Sequence, residues 1–170
     1  MIVKNMFNFC LLIYIFCANF LKIVNNKRGC KMASIVVKCL VEDSLGHFLL
    51  IKRASNDSHA EYWETPGGGL DGFESILLAG KREVAEESGL VIEVENLVLM
   101  DYSEMEDDES GQVFSVYFLK TIAPIEDQVV DLSKNPDHSK FIWLAYDEVP
   151  LFLKTGAKID NWTKKHLSLI

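Results

Sequence analysis

Apolar residues between 34 and 170 fall in short runs separated by turn-forming residues. Residues 34–41 (SIVVKCLV) and 47–53 (HFLLIKR) are dense in Val, Ile and Leu. The Asp43-Ser44-Leu45-Gly46 link between them carries turn chemistry, so the two runs are predicted as paired strands. A polar loop, 54–60, leads into Tyr62-Trp63-Glu64-Thr65. Pro66 with Gly67, Gly68 and Gly69 then breaks regular structure and lets the backbone approach another group closely. From 74 to 88 the only breaker is Gly80, and Gly89 stands where helices often end in a left-handed residue, so a helix is predicted. Strand patterns come next at 91–102 and 113–121, joined by the acidic stretch 104–110 and Gly111, which reads as a solvated hairpin connection. After a long loop, 123–139, come a short strand at 141–145 and helices from Asp147 and over 159–169. Strands on both sides of one strong helix, with another helix at the end, predict an α/β layered domain with a mixed β-sheet.

Upstream the pattern differs. Residues 6–24 (MFNFCLLIYIFCANFLKIV) form an apolar run near the roughly 20 residues that span a bilayer, interrupted by Asn8, Asn19 and Lys22. If it inserts as a membrane anchor, the basic cluster Lys22, Lys27, Arg28 and Lys31 favours a cytoplasmic location for the domain C-terminal to it. The alternative is that translation starts at Met32. Either way the expected organisation is an apolar segment over 1–31 and one domain over 32–170.

Charge narrows the function classes. The chain has 25 acidic and 17 basic residues in 170, a net charge of -8, which argues against a nucleic-acid binder that works by displacing counterions with Lys and Arg. A small polyanion remains a suitable ligand if metal cations or a few placed basic groups offset the repulsion. Cys10, Cys17 and Cys30 lie in the N-terminal segment, leaving Cys39 alone in the body, with no spacing suited to a disulfide or structural zinc. This usage fits a reducing cytoplasm.

The candidate chemistry lies on the central helix. At 100° per residue Glu83, Glu86 and Glu87 fall within an arc of roughly 100°, beside an apolar arc of Phe73, Leu77, Gly80 and Val84. Like charges three and four residues apart oppose one another, and Glu near a helix C-terminus opposes the macrodipole, so helix stability does not explain them. Three glutamates alone are ordinary solvated surface. Here they come after a glycine-rich loop whose carbonyls are free to coordinate, and an all-oxygen set suits Mg²⁺ or Mn²⁺. Arg82 either pairs with a neighbouring carboxylate on the surface or holds a ligand glutamate with a bidentate fork.

Read together, Gly68, Glu74, Arg82, Glu83, Val84, Glu86, Glu87, Gly89 and Leu90 match the Nudix box, Gly-x5-Glu-x7-Arg-Glu-U-x-Glu-Glu-x-Gly-U with U aliphatic, at every defined position. A chance match is of order one in ten million. The chain therefore resembles the Nudix hydrolase family over most of 34–150, including residues 48–53, 63–69 and 141–149. The resemblance implies a Nudix-type α/β/α sandwich and Mg²⁺-dependent hydrolysis of a nucleoside diphosphate linked to another group, by a metal-bound water and a glutamate base. It implies that Glu83, Glu86 and Glu87 hold the metal with the Gly67 carbonyl, that Arg82 orients them, and that Glu74 supports the loop. Lys52, Arg53, Trp63 and Gly68 are expected to meet substrate. Trp63, Tyr102, Phe114 and Tyr117 are also candidates for base stacking. A further acidic ligand is expected before the Trp143 strand, but Lys140 stands there, leaving Asp137, Glu126 and Asp127 as candidates.

The implied substrate is an oxidised or ordinary nucleoside triphosphate, as in mutator-type members. ADP-ribose and dinucleoside polyphosphates are alternatives, although 99–110 lacks the proline expected of the ADP-ribose group. A non-catalytic nucleotide sensor would not need all three glutamates, and an anchored interaction protein would need the N-terminal segment.

Overall fold

The computed structural model describes residues 34–55 and 59–169, so the N-terminal expectations, membrane anchor included, lie outside the described residues. No helix among the described residues is long and apolar enough to cross a membrane. Among the described residues seven strands form two sheets. In the first, the order is β1 (Ser34–Leu40), β5 (Val113–Thr121), β4 (Leu97–Glu106), with β1 parallel to β5 and β4 antiparallel to it. In the second, the order is β6 (His138–Leu144), β2 (Phe48–Arg53), β3 (Tyr62–Glu64), β7 (Lys158–Ile159), with only the β3–β7 pair parallel. The helices are α1 (Ile76–Ser88), α2 (Val149–Lys154) and α3 (Asn161–Leu167).

The expected pairing of the first two runs is corrected. Each is apolar on both faces, as strands covered on both sides should be. Both edges of β1 are taken: β5 occupies one, and on the other Pro66 and Gly68 accept from the N–H groups of Cys39 and Val37. The second run reaches the first only past the turn, where Leu49 N–H donates to the Val41 carbonyl.

Alternation along β1 sends Val37 and Cys39 into a core with Leu49, Ile51, Ala79, Val84, Leu97 and Leu119, covered by α1. Leu40 joins Phe48, Leu50, Leu144 and Ile159 in a second core closed by Phe152 of α2 and Leu167 of α3. Helices thus flank the sheets on both sides, giving the α/β/α arrangement. Gly80 has its reason here: a Cβ would lie 2.5 Å from the Leu119 Cδ1 and 2.9 Å from the Cys39 Sγ, so its absence lets α1 approach the sheet.

Other differences are local. The run at 91–102 begins instead with a short 3-10 turn, Val94–Asn96, before β4, and β4 continues through Glu106. β6 begins at His138, and β7 has only two residues, too few for a pattern. Phe73, placed on the apolar arc by helical periodicity, precedes α1 and is fully exposed.

His166 of α3 is fully buried against Phe118, ring centroids 5.1 Å apart, and neither ring nitrogen makes a well-formed hydrogen bond. Burial pushes its pKa down to about 3. The unfolded chain therefore binds a proton below about pH 6.5 that the folded chain refuses, so its contribution to stability is complete above that pH and is lost as pH falls towards 3. A His166→Phe variant should show a flatter fall of melting temperature between pH 6.5 and 4, the difference reaching roughly 3 kcal/mol. Parallel pH profiles in thermal melts would contradict this.

Candidate active site

The box is built by one helix and the loop before it. Ser75 caps α1 by accepting from Leu78 N–H, and Gly89 ends it with φ 73° and an N–H donated to the Ala85 carbonyl. Glu83 is buried, Glu87 is mostly buried and Glu86 is exposed, because the face that packs on the sheet turns gradually into the face that meets the loop. Gly67 N–H donates to Glu87 Oε2 at 2.8 Å. On either side of it, the Pro66 and Gly68 carbonyls bond β1. A Cβ on Gly67 would lie 2.1 Å from the Val37 backbone oxygen, so no side chain fits there, and one on Gly68 would lie 2.5 Å from Glu83 Oε1, so a side chain fits there only if that carboxylate moves. Gly68→Ala should displace the Glu83 carboxylate and lower turnover at least about tenfold with little change in fold; unchanged kinetics would refute this close approach.

Arg82 gathers the acids. Its Nη2 donates to Glu74 Oε1 at 2.7 Å and to the Gly69 carbonyl at 2.8 Å, and its Nη1 to Glu83 Oε1 at 2.7 Å and Glu86 Oε2 at 3.1 Å. The hydrogen bond from Arg82 holds the Glu74 carboxyl below its usual range. Burial raises Glu83, with Arg82 opposing. Glu74 also accepts from Asp71 N–H, tying the loop to the helix start. Arg82 thus joins the loop, Glu74 and two box glutamates.

Behind the box lies a charge network that sequence reasoning missed. Glu64 is buried, with Lys38 Nζ at 2.5 Å from Oε2, and Arg53 Nη1 at 2.8 Å and His138 Nε2 at 3.3 Å from Oε1. Burial works against its charge, but Lys38, His138 and Arg53 outweigh it and hold the carboxyl well below the carboxylate range. His138 Nε2 also stands 3.9 Å from Glu87 Oε1. For Glu87 the balance is reversed: burial pushes it up to about 7 with Glu64 adding to the rise, and Lys38, His138 and the Gly67 N–H oppose without outweighing it. Burial raises Asp160 as well. The visible signal was Lys38, the one charge inside the apolar run of β1.

Glu64 also floors a cleft of about 580 Å³ walled by Arg53, Tyr62, Phe114, Asp160, Asn161 and Trp162 and rimmed by His59 and Glu106, Asp107, Asp108 and Glu109. Of the expected substrate residues, Arg53 and Phe114 line it. Strand alternation sends their neighbours elsewhere. Trp63 packs edge-on to Phe152, centroids 5.4 Å apart, and Lys52 pairs with Glu61 on the far side. Tyr102 and Tyr117 stack on each other, centroids 4.9 Å apart, outside the cleft. Asp137, Glu126, Asp127 and Lys140 are all exposed. Among the described residues no three His, Cys, Asp or Glu side chains are already grouped as a metal-binding set: Arg82 draws Glu83 and Glu86 one way and Gly67 draws Glu87 another.

The fold and box together define a class. The structure is similar to a MutT protein from Methanosarcina mazei Go1 (22% identity, TM-score 0.66, covering 83% of this chain and 94% of that one). It is similar to a MutT NUDIX hydrolase from Burkholderia pseudomallei (23%, 0.68, 82% and 99%). It is also similar to the NUDIX domain of Shewanella oneidensis NrtR, solved with ADP ribose (15%, 0.65, 88% and 94%). A comparison with curated proteins returned no match. The NUDIX domain model matches residues 32–165, and the chain belongs to that family.

Proposed function

We propose that the chain hydrolyses the diphosphate linkage of a nucleoside triphosphate with the help of Mg²⁺ or Mn²⁺. The observation that carries this is Glu83, Glu86 and Glu87 on one helix beside a glycine loop whose Gly67 N–H meets Glu87 and whose Gly68 lies against the Glu83 carboxylate. The donors fit a hard dication: they are all oxygen, and buried Glu87, pushed up to about 7, is short of positive charge. Glu83, Glu86, Glu87 and the Gly67 carbonyl would hold it. When bound, the cation offsets the charge of the diphosphate and makes water more acidic. Arg82 keeps Glu83 and Glu86 within reach through its fork, and Glu74 fixes Arg82. A box carboxylate takes the proton that water gives up as its oxygen bonds to phosphorus and the pyrophosphate leaves.

The nucleoside sits in the cleft, whose volume falls within the ~300–1,000 Å³ of small-molecule sites. Phe114 and Trp162 supply aromatic faces, their rings 5.3 Å apart. Glu64, Glu106, Asp107, Asp108, Glu109 and Asp160 offer acceptors against the two basic groups Arg53 and His59. That balance favours a base edge rich in N–H donors and disfavours a second phosphate-bearing group. With Mg²⁺, the full chain should convert guanine or oxidised-guanine triphosphates to monophosphate and pyrophosphate at least about tenfold faster than ADP-ribose or dinucleoside polyphosphates. Product chromatography reads the result; no product from any of them would overturn the catalytic reading, and a reversed preference would overturn the substrate.

A further inference from the structure

None of the acids expected as a further ligand turns inward, since Glu126, Asp127 and Asp137 are exposed and Lys140 stands opposite Lys52. The inward residue is His138, at the start of β6. The register of β6 against β2 shifts there: Lys52 pairs with Lys140, but Arg53 pairs with His138, so two residues of β6 are crossed while β2 advances one. In a regular strand residues two apart share a face, and His138 would be exposed like Lys140. The bulge at Ser139 turns it inward, the re-aiming that bulges beside active sites perform. Its side chain is 2% exposed. Nε2 faces Glu64 Oε1 at 3.3 Å and Glu87 Oε1 at 3.9 Å, while Nδ1 is buried with no partner. A proton on Nδ1 alone would be a buried donor with nothing to receive it, so the geometry favours a donor at Nε2, between the two carboxylates.

We propose that His138 is a positioning residue: its Nε2–H, brought inward by the bulge, lies between Glu64 and Glu87 and holds the Glu87 carboxylate oriented for a divalent cation. This rests on the proposed metal role of the box. Glu64 anchors the ring from one side, itself fixed by Lys38 and Arg53, so Glu87 is oriented from the network behind it as Glu83 and Glu86 are by Arg82. Outer groups of this kind set the direction of ligand oxygens and typically govern affinity tenfold or more.

The test separates this proposal from the reading beneath it. Mn²⁺ binding to the full chain is measured by electron paramagnetic resonance or calorimetry; no uptake by the unaltered protein would sink the metal role itself. Given uptake, His138→Asn, whose amide cannot reach the Nε2 position, should weaken Mn²⁺ about 10–100-fold. His138→Gln, whose amide N–H does reach it, should restore most of that affinity, a rescue that a packing role alone would not show. Equal affinities in the two variants would overturn the proposal. Should either variant fail to fold, nitrogen-15 spectra of the unaltered protein decide: the His138 ring should appear as the Nε2–H form and shift on adding Mg²⁺. The opposite form, or no shift at saturating Mg²⁺, would overturn it.

Discussion

Glu87→Gln is expected to lower turnover by at least about 10²-fold while raising the melting temperature of the metal-free protein. The two effects have one cause. Glu87 is mostly buried beside Glu64, accepts from Gly67 N–H with His138 Nε2 3.9 Å away, and is pushed by that burial to about 7, Lys38 and His138 opposing. A charge so placed burdens the folded state unless a cation joins it. The amide keeps an oxygen for Gly67 N–H and removes the charge, so the metal-free fold gains, yet the cation loses a ligand. Added Mg²⁺ should therefore raise the melting temperature of the unaltered protein and not of the variant, since a ligand that binds only the folded state stabilises by mass action. Thermal melts with chelator and with Mg²⁺, beside steady-state rates, measure all three quantities. A variant that keeps its activity, or that melts lower without metal, would contradict the assignment.

How much of the molecule is legible in its sequence depends on how local each signal is. The box motif is legible because loop, helix and cap are contiguous in sequence, whereas the directions of Glu83, Glu86 and Glu87 are set by their partners Arg82 and Gly67. The strand β5 has the limits its sequence predicts because its apolar run ends in turn residues on both sides. The sheet partners of β1 and β2 differ from expectation because pairing is non-local: no feature of residues 34–53 reveals that β5 and the glycine loop already occupy both edges of β1. Trp63 is expected at the substrate for its chemistry, and Glu64 beside it carries no such signal, yet the two alternate across a strand and only Glu64 faces the cleft. His138 depends on a bulge, which shifts side chains by one register without leaving a compositional trace.

Lys38→Met should destabilise the protein by about 3–5 kcal/mol, because removing one partner of a buried ion pair leaves the other charge uncompensated. Lys38 is 3% exposed, donates to Glu64 and to the Thr65 carbonyl at 3.2 Å, and lies near Asp160 and Glu87. Burial works against its ammonium, but Glu64, Asp160 and Glu87 outweigh burial and raise its pKa. Arg53 and His138 still hold Glu64 in the variant, which keeps the loss from being larger. Glu64→Gln added to Lys38→Met should recover part of it, since the charge left stranded is then gone. The recovery separates a lost counter-ion from lost packing. A four-corner cycle of urea midpoints measures it, with a coupling above about 1 kcal/mol expected for residues in contact. Strict additivity would mean that the lysine serves only to fill space. A coupling of that size would mean that the Lys38 charge acts directly on Glu64, and so helps keep that carboxylate buried between the cleft and the box.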